Sequence, residues 1–293
     1  MELRDIEIFL ALAEELHFGR TAERLHVTQA RVSQSIAKQE RQIGGTLFRR
    51  TSRRVELTSI GRRLYAELRP AYQQILDSTR SAAASAARGV HGTLRIGTMG
   101  ALSQILTATN SLFRGRHPGA EVDFVEVQPS MPFAGLRSGE VDIAMLWLPV
   151  RESDLTVGPV MSEHPLVCMV ASEHPLAQRD SIRMEDFGDY EVASSQHSLP
   201  AYFEEGLLPF HTPSGRPIRR GTKVATWQET LIAVSSGRIV QPIQAEAAVY
   251  YPWPGVRYLP IDDAPIGRWA LVWRTNAETP LVRAYVDAAE GCV

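Results

Sequence analysis

The spacing of apolar residues predicts three helices within the first 43 residues. The first carries its apolar residues at steps of three and four, the spacing of an amphipathic helix: Leu3, Ile6, Phe9, Leu10, Ala13 and Leu16. A short second helix fits residues 19–26, and a third fits about 29–43 with Thr28 as its N-cap. The inward residues of the third helix are predicted to be Val32, Ile36 and Ile43. Two short helices joined by a tight turn are typical of a helix-turn-helix.

The next segment predicts a wing and then one long helix. Residues 48–57 alternate loosely between apolar and polar positions, as two short strands would, and Thr58 is a plausible N-cap for a helix over about 59–87. Its apolar residues form a single narrow stripe: Ile60, Leu64, Leu68, Ala71, Ile75, Thr79, Ala82 and Ala86. A stripe this narrow is more typical of a helix that pairs with a partner helix than of a core helix, although packing on its own domain is the alternative. Pro70 predicts a kink near Ala66.

Beyond residue 90 the pattern changes to short apolar strands that alternate with helices. Strands are predicted at 93–97, 121–127, 141–147, 165–171 and 190–194, and helices at about 101–115, 131–138, 199–206, 227–236 and 279–290. This alternation predicts an α/β architecture with a largely parallel sheet. Two extended segments, about 155–166 and 259–274, flank a self-contained block. We therefore expect two lobes joined by two crossing strands, with a cleft between them.

Charge is divided unevenly along the chain. Residues 20–63 hold eleven lysines and arginines against three acids, whereas the whole chain has a net charge of −2. Residues 1–90 hold 15 basic and 10 acidic residues, and residues 91–293 hold 16 and 23. A compact basic segment on a near-neutral chain is the electrostatic footprint of a phosphate-binding surface. The first part of the chain therefore suits nucleic acid, and the second part does not.

Candidate contacts to DNA follow from the two predicted elements. The outward face of the third helix carries side chains that can donate to base edges and phosphates, beginning at its N-cap: Thr28, Gln29, Arg31, Ser33, Gln34 and Lys38. The turn of the wing supplies further cations that can bind phosphate: Arg49, Arg50, Arg53 and Arg54. The alternative is that the helix side chains touch only phosphates and that the turn is simply a solvated charged loop.

Several classes of protein are disfavoured. The first residues show no basic segment followed by an apolar run, so no signal peptide is visible, and no stretch approaches the roughly 18 apolar residues of a membrane helix. Cys168 and Cys292 are the only cysteines, and their spacing fits no zinc site. Cys168 lies in an apolar run and reads as buried and inert, although a thiol switch is the alternative. We expect a cytoplasmic protein without metal or cofactor.

The segments described so far resemble the LysR-type transcriptional regulators. The resemblance rests on matching pieces in the family order, the first five in the basic segment and its flanks: residues 9–14 (FLALAE), 21–29 (TAERLHVTQ), Ser33 with Ile36, 47–50 (LFRR), 57–58 with Gly61, and, more weakly, 94–97 (LRIG), 139–144 (GEVDIA), 174–177 (HPLA) and 234–242. The sequence departs from the family at Ala30 and Arg31, where a proline and a small residue are common, and at Gln34, where an arginine is common. Arg238 and Gln241 replace residues that are usually apolar or small.

The resemblance implies a fold, an assembly and a function. It implies an α-helix-rich winged helix-turn-helix head at about 1–58, a dimerising linker helix at about 59–89, and a two-lobed α/β effector domain at 90–293, like the type II periplasmic binding proteins. Lobe I would comprise about 90–161 and 268–293, and lobe II about 162–267. The family pattern further implies sequence-specific binding to double-stranded DNA, a small-molecule effector in the cleft, a homodimer through the linker helix and usually a homotetramer.

The candidate effector site lies where a strand meets a helix. Thr98, Met99, Gly100 and Ser103 follow a predicted strand and open a helix, whose N-terminal N–H groups suit an anion, with ordinary capping as the alternative. By resemblance, the cleft is also lined by further residues of both lobes: Ser130, Trp147, Ser195 and Gln196. Trp147 and Trp227 fit either the cleft or the core. Hydroxyl, amide and aromatic groups with no carboxylate in the first loop favour an organic acid as the effector.

Two other classes of function are weighed against this one. A DNA-binding head fused to a catalytic domain is conceivable, but no Ser/His/Asp or Cys/His constellation, nucleophile elbow, Walker loop or GxGxxG loop stands out. A solute-binding module would need an export signal, and none is visible. We therefore expect a regulator rather than an enzyme.

Overall fold

The computed structural model describes residues 2–50, 55–86 and 90–292. The chain divides into two units, Met1–Ala83 and Ala84–Val293. Each unit contains a hydrophobic core of its own.

The first unit is a winged helix-turn-helix followed by a long helix. Its elements in chain order are α1 (Leu3–Glu15), α2 (Phe18–Arg24), α3 (Gln29–Ile43), β1 (Phe48–Arg50), β2 (Val55–Leu57) and α4 (Ser59–Ala86). Strands β1 and β2 pair antiparallel, with Phe48 opposite Leu57. The helices and strands predicted for this part of the chain are thus confirmed. The predicted turn of the wing, residues 51–54, lies outside the described residues.

Side-chain caps begin the helices of this unit where the sequence predicts them. The Thr28 hydroxyl oxygen accepts from the Arg31 N–H at 3.2 Å at the start of α3. The Thr58 hydroxyl oxygen accepts from the Gly61 N–H at 3.0 Å at the start of α4, and the same hydroxyl group donates its proton to the Thr46 carbonyl oxygen at 2.7 Å. Each cap satisfies a backbone donor that the helix itself leaves unpaired.

The apolar face of α1 differs from the predicted one. Ile8, Phe9 and Leu12 are buried, whereas Leu3 is 53% exposed and Leu16 is 41% exposed. Ile43, expected to point inward from α3, is also exposed. The reason is position, because all three exposed residues stand at helix ends, where the neighbouring helices no longer cover them.

The first half of α4 packs on the core of its own unit. Leu64, Tyr65, Leu68 and Tyr72 are partly buried against the cluster that contains Phe9 and Phe48. Ile60 and Ile75 are exposed on the same helix, 46% and 43% respectively. The predicted single stripe therefore has two environments, one within the unit and one open to solvent. The helix continues through Pro70, and the side chains from Arg80 to Ala86 lie outside the described residues.

The second unit alternates strands and helices. Its elements in chain order are β3 (Gly92–Thr98), α5 (Thr107–Arg116), β4 (Ala120–Glu126), α6 (Ala134–Ser138), β5 (Ile143–Trp147), β6 (Leu155–His164), β7 (Leu166–Ala171), β8 (Glu191–Ser195), α7 (Ala201–Leu207), β9 (Arg219–Val224), α8 (Trp227–Ser235), β10 (Gln241–Gln244), α9 (Ala247–Tyr250), β11 (Val256–Pro260), β12 (Gly267–Arg274) and α10 (Pro280–Glu290). A 3₁₀ helix, Gly100–Leu106, precedes α5.

The sheets of the second unit are mixed rather than largely parallel. One sheet has the strand order β4-β3-β5-β12-β6, in which β3 runs parallel to β4 and β5, while β12 runs antiparallel to β5 and β6. A second sheet, β10-β7-β11, is antiparallel, and β8 pairs parallel with β9. The prediction of a largely parallel sheet was wrong because β12 enters the first sheet from the other half of the unit, without the crossover helix that parallel neighbours need.

Two lobes follow from these sheets. Lobe I is built on the five-stranded sheet, with a core that includes Ile96, Phe113 and Tyr285. Lobe II is built on the other two sheets, with Phe187 and Val192 in its core. The long strands β6 and β12, which correspond to the two predicted crossing segments, lie side by side in lobe I.

Candidate functional site

The face of α3 that the sequence assigns to base contacts is open to solvent. Gln29, Arg31 and Gln34 are exposed, and Ser33 is half-buried, while Val32 and Ile36 fill the core on the opposite face. Thr28 is exposed at the start of the helix and uses its oxygen to cap Arg31. The structure thus brings five of the predicted contacts together near the N-terminal half of one exposed helix, the part of a recognition helix that meets base edges in this type of fold.

Lys38 has a structural partner. Its ammonium nitrogen lies 3.0 Å from Oδ2 of Asp5 and 3.5 Å from Oε1 of Glu2. Asp5 is only 2% exposed, and its Oδ1 also accepts from the Ser35 hydroxyl at 2.8 Å. Lys38 therefore joins α3 to α1, and a DNA phosphate would compete with these two carboxylates for it.

The ionisation of this pair follows from its contacts. Burial alone would raise the pKa of Asp5, but hydrogen bonds from Ser35 and Lys38 outweigh it and hold the pKa below its usual value. The same hydrogen bond raises the pKa of Lys38. Sequence reasoning missed this network because Asp5 looks like an ordinary acid near a chain start. The available signal was the spacing of Ser35, Lys38 and Gln39, which puts three polar side chains on one face of α3.

The start of the wing is fixed by Glu40, which the sequence did not single out. Its Oε1 accepts from the N–H groups of Leu47 and Phe48 at 2.8 and 3.2 Å. A side chain of α3 thus holds the first strand of the wing at a set distance from the helix. Arg49 is exposed on β1. The side chain of Arg50, and Arg53 and Arg54 altogether, lie outside the described residues.

The second unit contains a cavity of about 160 Å³ that residues of both lobes line. Of the nine residues predicted to bind an effector, the lining includes Met99, Ser130, Trp147, Ser195 and Trp227. The other four predicted residues are not part of it: Thr98, Gly100, Ser103 and Gln196. Thr98 is buried at the end of β3, and Gln196 is exposed.

The loop after β3 contacts a tyrosine of lobe II. The Ala101 N–H donates to the Tyr251 hydroxyl oxygen at 2.5 Å. Gly100 has a φ of 56°, which favours glycine, and a Cβ atom there would clash with the same oxygen, so a larger residue would have to displace Tyr251. One of the N–H groups that the sequence offered to an anion is therefore hydrogen-bonded to a side chain of the opposite lobe.

Two further contacts join the lobes around the cavity. The Ser130 hydroxyl donates to the Ala225 carbonyl oxygen at 2.7 Å. Phe203 of α7 is fully buried in the core of lobe I and stacks on Trp147, with ring centroids 4.2 Å apart. The Trp147 indole N–H donates to the Phe203 carbonyl oxygen at 3.0 Å. Trp147 is thus both a cavity wall and part of the core, the two readings that the sequence left open.

Among the polar residues that line the cavity and that the sequence did not assign to the site are Gln244, Glu246 and Trp269. Gln244 is 5% exposed, and neither atom of its side-chain amide has a hydrogen-bond partner within the described part of the chain. The same is true of Glu246 Oε2, of the Trp269 indole nitrogen and of the Trp227 indole nitrogen. The signal in the sequence was a strand with glutamine at both ends, one of which, Gln241, departs from the family pattern.

Other reactive groups do not form a site in the described residues. Cys168 is fully buried, and burial raises the pKa of its thiol, so the thiolate that reacts or binds metal is disfavoured. Residues 2–50, 55–86 and 90–292 contain no cluster of His, Cys, Asp and Glu that could hold a metal ion. Over the same ranges, no helix is both long enough and apolar enough to cross a membrane.

Comparison with known protein families gives two matches. The model for the bacterial regulatory helix-turn-helix protein, lysR family, matches residues 3–62. The model for the LysR substrate binding domain matches residues 87–292. The boundary between the matches falls within α4 and the residues after it.

Two relatives that this chain matches over nearly its whole length are transcriptional regulators. The DNA-binding transcriptional dual regulator OxyR of Escherichia coli is 30% identical over 99% of this chain and 94% of its own length. The HTH-type transcriptional regulator AlsR of Bacillus subtilis is 29% identical over 98% of this chain and 94% of its own length. Among solved structures, full-length CbnR in complex with its target DNA is 20% identical, with a TM-score of 0.70 and complete coverage of both chains. That likeness concerns the fold.

Proposed function

The chain belongs to the LysR family of regulatory helix-turn-helix proteins, and we propose that it binds a specific DNA sequence and regulates transcription in response to a small molecule held between its two lobes. The observation that carries the proposal is the pairing of two features on one chain. One is a capped helix whose exposed face is polar, followed by a basic wing, and the other is a cavity lined from both lobes.

The DNA-binding surface follows from α3 and the wing. Arg31 and Gln34 project from the exposed face of α3 and can hydrogen-bond to base edges in the major groove. Thr28, Gln29 and Ser33 flank them. Arg50, Arg53 and Arg54 would neutralise backbone phosphates on either side of the groove. We assign Lys38 to the outer edge of this surface, because its ammonium group already pairs with Asp5.

Control by a small molecule needs a difference in affinity between two arrangements of the protein. A ligand that contacts both lobes binds best in one relative arrangement of those lobes, and it shifts the population toward that arrangement. Ser130 and Tyr251 already make contacts across the cavity. We propose that ligand binding changes these contacts and that this change transmits the signal.

Assembly follows from the exposed part of α4. A solvent-exposed Ile75 on a helix of 28 residues favours pairing with a second copy, and a two-fold dimer would present two copies of α3 to two half-sites. We propose a homodimer through α4 that assembles further into a homotetramer.

A catalytic role receives no support from the cavity. Its lining, all of which falls in the described residues, contains no cysteine, lysine or histidine that could serve as a nucleophile or base beside Ser130 or Ser195. The named relatives are regulators. We therefore propose a regulator without enzymatic activity, located in the cytoplasm, where its DNA target would lie.

Protection mapping of the DNA next to the protein's own gene tests the proposal. We expect a protected segment that contains two half-sites whose centres are one helical turn apart or a multiple of it. A cell extract of small molecules should change the pattern or the affinity of protection. Absence of any protected segment at low salt would contradict the proposed function.

A further inference from the structure

The charge of the cavity opposes an anionic ligand. Its lining contains the acids Glu204 and Glu246 and, within the described ranges of the chain, no lysine, arginine or histidine. Two cations outside the lining have partners of their own. Arg220 donates to the carbonyl oxygens of Leu208 and Pro209, and His164 lies 3.1 Å from Oε1 of Glu246. A carboxylate ligand would meet two acids and no cation among the described lining residues.

One backbone donor and one hydroxyl donor near the cavity are already in use. Ala101 donates to Tyr251, and Ser130 donates to the Ala225 carbonyl oxygen. The lobe contacts therefore remove the anion site that the sequence predicted at the start of the helix. An organic acid, which the sequence favoured as the effector, finds no cation in the lining as described, and the Ala101 N–H of that loop is already bonded to Tyr251.

Within the described residues, the unpaired polar atoms around the cavity are the indole nitrogens of Trp227 and Trp269, the two atoms of the Gln244 amide, and one oxygen of Glu246. Ser162 donates to Oε1 of Glu246 at 2.5 Å, which leaves Oε2 of that buried carboxylate unpaired within residues 90–292. Gln244 is 95% buried, with both amide atoms unpaired over the same range. Buried polar groups are nearly always paired in proteins, because an unpaired one costs about 1–3 kcal/mol. A carboxylate oxygen can only accept, so the missing partner at Glu246 is a donor.

The walls and volume set the size of the ligand. Trp147, Trp227, Trp269, Tyr250 and Tyr251 line the cavity together with aliphatic side chains. A cavity of about 150 Å³ in another protein holds benzene, and this one is about 160 Å³. Aromatic faces attract cations as well as other rings. The space therefore suits one aromatic ring that carries a small group.

We propose that the effector is a small single-ring aromatic amine, bound with its ammonium group on Glu246 and within reach of the Gln244 amide oxygen. The inference rests on the proposed function, since it names the class of molecule that the cavity recognises. The charges are the reverse of those expected for an organic acid, because here the protein supplies the negative charge and the ligand supplies the positive one.

Three compounds that share one ring test the charge preference: benzylamine, benzamide and benzoate. The full-length protein is titrated with each, and binding is followed by tryptophan fluorescence, which reports on the cavity because three of its wall residues are tryptophan. We expect benzylamine to bind at least about tenfold more tightly than benzoate, with benzamide between them. Benzoate binding as tightly as benzylamine, or no binding by any of the three, would overturn the inference.

Two variants locate the contact. Glu246→Gln keeps the size of the side chain and should reduce benzylamine affinity about tenfold or more while leaving benzamide within about twofold. Glu205→Gln is the matched control, because Glu205 is exposed on α7 and is not part of the lining; it should change neither. If Glu246→Gln leaves the ranking unchanged, the inference is wrong even though benzylamine binds.

The failure of this inference is distinguishable from failure of the proposed function. DNA binding without ligand is measured on the same preparations, and retained benzamide binding by Glu246→Gln shows that the cavity of the variant is folded. If the protein binds its DNA but prefers benzoate to benzylamine, the aromatic-amine effector is wrong while the proposed regulatory function stands. If the wild-type protein shows no sequence-specific DNA binding, the proposed regulatory function is wrong, whichever of the three ligands binds most tightly.

Discussion

Asp5 shows what a single buried carboxylate does in the first unit. Ser35, Lys38 and the N–H of Glu2 surround its two oxygens, and Gln39 donates to its backbone carbonyl at 2.8 Å. These contacts tie α3, the proposed DNA-reading helix, to α1. The sequence predicted the helices and the exposed polar face of α3 correctly, because both follow from local spacing. It could not predict the network, because a pairing across 30 or more positions depends on how the helices cross.

Replacing Asp5 with alanine should destabilise the first unit by about 1–3 kcal/mol, because Ser35 and Lys38 lose a buried acceptor. The measurement is hydrogen exchange of the α1 and α3 amides, since all five tryptophans lie in the second unit and do not report on the first. Glu67→Gln is the control, because Glu67 is an exposed partner of Arg63 on α4. Equal exchange in the two variants would show that the network adds no stability.

The same network predicts a dependence on pH. The folded-state pKa of Asp5 is below its value in the unfolded chain, so its contribution is complete above about pH 4 and is lost as the pH falls through the folded-state pKa. As the pH is lowered from 5, the hydrogen-exchange protection of the α1 and α3 amides should therefore decrease. The decrease should be larger in the wild type than in Asp5→Asn. A loss of the same size in Asp5→Asn would assign the acid sensitivity to other carboxylates.

The burial of Cys168 argues against a thiol-based redox switch at this residue. The thiol is fully buried on β7, and its pKa is raised by burial. In the native protein a small alkylating reagent should modify Cys292, which is exposed, and leave Cys168 unmodified. Hydrogen peroxide should accordingly leave DNA binding unchanged. Fast modification of Cys168 in the folded chain would reopen a redox role.

At the scale of the element, the apolar stripe of α4 has two environments, one buried and one exposed. The sequence predicted the helix and its cap, since a repeat of three and four residues is a local signal. It did not separate Leu64 and Leu68, which pack on the core of their own unit, from Ile75, which is exposed. Both kinds of residue look alike in sequence, because the difference lies in how far the three short helices extend along α4.

Ile75 is therefore the residue that tests assembly. Ile75→Glu should shift the mass seen by light scattering toward the monomer, because a dimer would bury an unpaired charge. Gln74→Glu is the control, since it adds the same charge at an exposed neighbouring position. Leu68→Glu should instead destabilise the first unit. If Ile75→Glu keeps the mass of the wild type, α4 does not form the dimer interface.

At the scale of the whole molecule, charge divides along the chain as function does. The net charge is positive up to residue 90 and negative after it, and the sequence alone predicted from this division that DNA binds to the first part. The chemistry of the cavity was beyond sequence reasoning, because Gln244 and Glu246 of lobe II line the same space as Trp147 and Trp269 of lobe I only through the tertiary fold. The sequence pointed to the loop after β3. It could not predict the contact of that loop with Tyr251, because the two residues that meet are 150 positions apart.

Salt dependence tests the division of charge. The logarithm of the DNA association constant should fall linearly with the logarithm of salt concentration, as counterions leave the phosphates. Arg53→Ala in the wing should reduce that slope by about one and weaken binding to all duplexes alike. Arg116→Ala removes the same charge at an exposed position of the second unit and should leave the slope unchanged. Equal slopes for Arg53→Ala and the wild type would remove the wing from the interface.

The most direct test of the regulator is the ratio of two dissociation constants, one for a shuffled duplex and one for the protected DNA next to the protein's own gene. The wild-type ratio should be on the order of a thousand or more. Gln34→Ala should lower it by roughly 5- to 150-fold, equivalent to about 1–3 kcal/mol at one or two base pairs. Gln42→Ala, at an exposed position at the far end of α3, should leave it unchanged. A ratio near one for the wild type, or one that Gln34→Ala does not alter, would contradict sequence reading by α3.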